Sequence, residues 1–202
     1  IRHSEKVLVM RIFIAVLVLI FSFQSWTKAD DISDFEISGI SVGDSLLDFL
    51  SEDHIKREIV RNDYMYSYTD KKYIAVEVIG IENDEYEYVL ATIKRKGDYQ
   101  YIVYSIRGSF DIDDPKICKK KQYKIDKDLI EIFGLENRRD FSMNSRVDPT
   151  GESKVHGIVF DFKNGGSISV TCVNYASHVD RPSGLDVSIR NNEFSEWLRT
   201  DW

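Results

Sequence analysis

Between residues 73 and 107, and again between 155 and 190, the chain consists of short alternating apolar and polar runs with no helical stretch between them. Joining parallel strands takes a crossover of a dozen or more residues, and these runs are separated by tight turns, so the pattern demands antiparallel sheet. Strands are expected near 64–68, 73–79, 86–95 and 99–107, with Lys96-Gly97-Asp98 as a turn. A second series is expected near 155–162, 167–174 and 185–190, with Asn164-Gly165 closing a hairpin. A helix precedes each series. Leu46, Phe49 and Leu50 have helical spacing that Ile55 and Ile59 continue, and Ser45 with Asp48 forms a capping box. Asp114-Pro115 opens the second helix and Gly134 stops it, with Cys118, Gln122, Ile125, Leu129, Ile132 and Phe133 as its inner stripe. A last short helix holds Phe194, Trp197 and Leu198. Strands in runs with helices set apart define the α+β class.

The two series stand at a constant offset. Residues 42–50 align with 125–133, and Ser105-Ile106-Arg107 recurs as Ser188-Ile189-Arg190, both at a spacing of 83 residues. Repetition of a helix-plus-meander unit is therefore expected, with units at 30–110 and 111–202. At the level of fold, tandem units of this kind resemble the β-lactamase inhibitor protein.

Ahead of them, Met10 and Arg11 start a segment in which Ile12 to Phe23 is unbroken apolar sequence. A polar end with small Thr27 and Ala29 follows, before Asp30-Asp31. That order reads as a secretory signal over 10–29, with residues 1–9 as upstream translation or a fragment start. Twelve residues rise only about 18 Å as a helix, short of the roughly 30 Å hydrocarbon core, so cleavage is expected rather than a retained anchor. No stable membrane insertion follows it. The predicted location is periplasmic or secreted.

Removing residues 1–29 takes away four of the 27 basic and one of the 34 acidic residues, moving the formal charge from −7 to −10. A domain of that sign repels phosphate backbones, which argues against nucleic-acid binding. Cys118 and Cys172 are the only cysteines. In an oxidising compartment an even pair favours a disulfide, here from the helix stripe to a strand face shared with Ile168 and Val170.

Catalytic chemistry finds little support. Gly43-Asp44-Ser45-Leu46 resembles the first block of the GDSL-type serine esterases, which implies Ser45 as a nucleophile. That family also carries an Asp-x-x-His element near its C-terminus. This chain has His178 with Asp180 after it instead, and its strand order contradicts the family's parallel sandwich. A helix cap is the simpler reading of Ser45. His54, His156 and His178 lack ligand spacing, and Asp111-x-Asp113-Asp114 lacks the glycine and distal glutamate of a calcium loop, so neither metal nor cofactor is expected. The lysine run around Lys119-Lys120-Lys121 reads as a solvated helix face.

Alternation over 99–107 puts Gln100, Ile102, Tyr104 and Ile106 toward the helices and Tyr99, Tyr101 and Arg107 outward. Arg190 takes the matching outward position in the second unit. An aromatic and arginine sheet face of this kind suits an envelope protein, a peptide or a glycan. The N-terminal stretch Phe21-Ser22-Phe23-Gln24-Ser25-Trp26, running on to Gly43-Asp44-Ser45-Leu46, resembles small exported proteins of Pelagibacter-type (SAR11) marine alphaproteobacteria. The resemblance implies a periplasmic or secreted place and brings no activity with it. The expectation is a non-enzymatic binding module. A Ser45 hydrolase and a structural envelope protein are the alternatives.

Overall fold

The computed structural model describes residues 32–62, 72–79 and 86–200. The secretory segment and the strand expected at 64–68 lie outside the described residues. A two-stranded ribbon of β1 (Glu36–Ile37) and β2 (Ile40–Ser41) leads through a 3₁₀ turn at Leu46–Asp48 to helix α1 (Glu52–Asn62). Strands β3 (Tyr73–Glu77), β4 (Tyr88–Lys94) and β5 (Ser105–Asp111) follow, then helix α2 (Pro115–Phe133). Strands β6 (Arg138–Asn144), β7 (Lys154–Asp161), β8 (Ser167–Asn174) and β9 (Gly184–Arg190) precede helix α3 (Asn192–Thr200). The fold is α+β. Seven strands form one antiparallel sheet in the order β3-β4-β5-β9-β8-β7-β6. The last strand of each series meets the other at the centre, where Ile106 lies opposite Ile189.

One face of this sheet is apolar. Ile74, Val76, Ala91, Ile93, Ile106, Ile189, Val170 and Ile158 all lie on it and are buried. Helix α2 covers its β8–β9 side, where the Cys118–Cys172 disulfide joins helix to strand. Phe35, Phe133 and Phe162 cluster at the helix's C-terminal end, with ring centroids 4.8–6.3 Å apart. Helix α1 lies against edge strand β3. The third helix packs on the opposite face, where Phe194 and Trp197 hold the Tyr73 ring at 4.9 and 5.0 Å.

Helix α2 begins and ends where Asp114-Pro115 and Gly134 place it: Asp114 caps the Lys116 N–H, and Gly134 takes φ 77°. Its inner stripe is shifted, however. Asp126 is buried, whereas Ile125 is half-buried and Ile132 exposed. The buried carboxylate is answered by Arg138 on β6, an edge strand that alternation did not reveal.

The strand expected at 99–107 starts only at Ser105. Tyr101 takes a positive φ of 50°, and residues 101–103 turn away to bond the segment 43–46 through Leu46 N–H to Tyr101 O and Gly43 N–H to Val103 O. The helix expected from Leu46 to Ile59 divides into the 3₁₀ turn and α1. No helix among the described residues is long and apolar enough to cross a membrane.

At the β5–β9 junction, Gly184 is required by packing. A Cβ there would run into the carbonyl oxygen of Phe110, which belongs to backbone and cannot swing aside. Gly184→Ala is therefore expected to cost about 1–3 kcal/mol, read as a lower urea midpoint. An unchanged midpoint would contradict the close approach of these strands.

Candidate functional site

The face opposite α2 differs in kind from the apolar one. Register aligns Thr92, Ser105, Arg190 and Ser167 in one row, and Leu90, Arg107, Ser188 and Ser169 in the next. Tyr88, Ser109, Asp186 and Thr171 form a third. Helix α3 covers one end of this face, where Glu193 reaches Lys94 and Tyr73 and Ser195 meets Ser167. Arg107 and Arg190 are diagonal neighbours across β5 and β9, set among hydroxyls. At such a central position strand propensity favours β-branched residues.

Local bonds fix this surface. Ser109 donates its hydroxyl to Asp186 at 2.6 Å, and the other Asp186 oxygen lies 3.7 Å from Arg107. Burial, with the Asp186 charge adding to it, pushes the Tyr88 phenol up from its ordinary range. Ser169 is 2% exposed and its hydroxyl has no hydrogen-bond partner among the described residues. An orphaned buried hydroxyl costs roughly 1–3 kcal/mol, so this face carries a polar group that its own fold does not satisfy.

Of the four residues expected on one face, the structure brings together Arg107 and Arg190 but not the tyrosines. Tyr99 stands 89% exposed in the loop before β5. Tyr101 donates to Glu52 at the start of α1, at 3.3 Å. Both leave the sheet because the chain turns at Tyr101. Tyr88 lies on the arginine face instead, in one row with Ser109 and Asp186.

Ser45 is a cap. Its hydroxyl donates to Gln100 O at 2.6 Å and accepts the Leu47 N–H at 3.3 Å. The ring of His54 meets Glu77 O, and that of His178 meets Asp148. Neither geometry supplies Ser45 with a base. Among the described residues no three His, Cys, Asp or Glu side chains converge as a metal site.

A second polar centre, which alternation did not reveal, sits in the loops beyond β6 and β8. The Asp148 side chain is fully enclosed and accepts from Thr150 N–H and Oγ1 and from Ser153 N–H and Oγ, all at 2.7–2.9 Å. His178 Nε2 approaches it at 3.1 Å. The carboxylate stands between serine and histidine, so the Ser153 proton is committed to Asp148 while its oxygen accepts the Ala176 N–H. Such an order locks loops together and offers no nucleophile. Asp148-Pro149-Thr150-Gly151 is the turn signal that could have located it.

Hydrogen bonds from Ser153, then Thr150, hold the Asp148 carboxyl far below its usual range. A depressed folded pKa contributes stability that is present above the unfolded value of about 3.9 and lost as pH falls below it. Thermal melts should therefore fall steeply below about pH 4. Asp148→Asn should lower the melt at neutral pH and flatten that acid limb; parallel acid limbs would refute the assignment.

No family model matches this chain, and no curated protein or solved structure matches it.

Proposed function

We propose that this chain is an exported, non-enzymatic binding module whose recognition surface is the sheet face carrying Arg107 and Arg190. It is placed in the periplasm or outside the cell, as its N-terminal resemblance implies, and its two units are read as a duplication. The observation that carries the reading is the contrast between the two sheet faces. One is closed by isoleucine and valine, while the other sets two arginines among Ser105, Ser188 and a Ser169 hydroxyl without a partner among the described residues. Guanidinium forks recognise carboxylates, including acidic peptides and uronic-acid glycans.

The test is differential capture. Wild type and the Arg107→Ala/Arg190→Ala double variant are exposed to the same envelope extract, and captured material is quantified by mass spectrometry. A partner set depleted about tenfold by the variant, with matching circular dichroism, is expected. Equal capture by both forms would overturn the proposal. So would fluorophosphonate labelling that Ser45→Ala abolishes.

A further inference from the structure

We propose that edge strand β6 captures an extended acidic peptide by strand addition, with an acidic side chain of the peptide held in the adjoining cleft by Lys119, His156 and Ser142. β6 pairs only with β7, so its outer edge presents a row of backbone donors and acceptors without partners among the described residues. Asp140, Ser142, Met143 and Asn144 along it are exposed.

Proteins commonly protect such an edge with charge. Here the charges are already engaged in ion pairs. Arg138 forks between Asp126 and Asp140 at 2.7–3.0 Å, and Arg139 binds Asp161 at 2.6 Å. The second half of the strand, from Phe141 to Asn144, has no charge at all.

A cleft of roughly 370 Å³ lies beside it, between α2 and the β6–β7 pair. The one carboxylate among its described lining residues, Asp140, is ion-paired with Arg138, which it shares with Asp126. Gln122 spends its amide on the carbonyls of His156 and Val170. In contrast, the Lys119 ammonium, the His156 ring and the Ser142 hydroxyl make no hydrogen bond or ion pair among the described residues. Ser142 and His156 are a cross-strand pair on the α2 side of the sheet. A strand added about 4.8 Å outside β6 sends alternate side chains to that side, which places an acid of the peptide against these groups.

A second copy of the chain fits less well. Pairing β6 with itself about Phe141 sets Asp140 of the copy opposite Ser142, and that carboxylate is already held by its own Arg138. The cleft calls for an acid free to bind.

The experiment selects linear displayed peptides against the full folded chain, then measures the enriched peptides by calorimetry. Enriched sequences should alternate β-forming residues and carry one acid. N-methylation of alternate amides in one register should abolish binding, while the other register tolerates it. Lys119→Glu should weaken binding about tenfold, and Lys124→Glu, the same charge change on the outer helix face, should not. No enrichment, indifference to N-methylation in both registers, or equal effects of the two lysine variants would overturn the proposal. Dimerisation in sedimentation that Met143→Lys abolishes would overturn it too, because a second copy would then occupy the edge. The arginine face is read on different variants, so the two proposals fail separately.

Discussion

Replacing Cys118 and Cys172 together with serine is expected to lower the unfolding free energy by about 4 kcal/mol, the cross-link effect for a loop of this size. The bonded residues are 54 apart in sequence, so the reduced chain regains a large closed loop's freedom when unfolded. Both are almost wholly buried, at 2% and 5% exposure, so the staple joins the interior stripe of α2 to β8 with little access for solvent reductants. For a domain of this size the loss corresponds to a fall of about 10 °C in Tm. Reduction should not dissolve the sheet, because Gln122 and the Asp126–Arg138 pair still hold the helix. Thiol counting in denaturant without reductant should find none. Two reactive thiols would contradict the disulfide and weaken the case for an oxidising compartment.

Arg138→Met is expected to cost about 3 kcal/mol or more, the penalty for stripping a buried charge of its partner. Asp126 is 4% exposed, and its two oxygens accept from Arg138 Nε at 2.7 Å and Nη2 at 3.0 Å. The same guanidinium turns its other edge to Asp140, and these bonds raise its affinity for the proton further. Losing it leaves a carboxylate inside the helix–sheet interface with nothing to answer it. Arg138→Lys should rescue little, since an ammonium has no planar fork to serve two carboxylates. Pairing Arg138→Met with Asp126→Leu should restore most of the loss, because an apolar pair of similar volume avoids desolvation altogether. Urea unfolding reads all three. A loss under about 1 kcal/mol for Arg138→Met would place Asp126 in contact with water.

Much of the fold can be read from local signals where they are strong. Asp114, Pro115 and Gly134 bound α2 through capping chemistry, and β8 follows from alternation over 167–174. Where one residue answers another far away, local signals are silent. β6 carries no apolar alternation because neither of its faces is covered, and its arginines make sense only beside Asp126 and Asp161. Tyr101 breaks a regular pattern through a backbone angle that nothing in a tyrosine announces; the constraint comes from residues 43–46.

The candidate site divides the same way. Arg107 and Arg190 are legible because they sit in matching Ser-Ile-Arg triplets, and those triplets become neighbours in the β5–β9 pair. Tyr88 was not legible as their companion, since only cross-strand register brings it to Ser109. Ser169, a buried hydroxyl without a partner among the described residues, reads in sequence as one more polar residue on a strand.

The claim that the arginine face is the recognition surface is tested most directly by photo-crosslinking in living cells. A benzophenone side chain replaces Tyr88, which lies half-buried on that face, or Val60, which stands 69% exposed on α1. We predict a discrete adduct from the Tyr88 position that Arg107→Ala/Arg190→Ala removes, and none from Val60. An adduct from Val60 alone, or a Tyr88 adduct that persists without the arginines, would contradict the account.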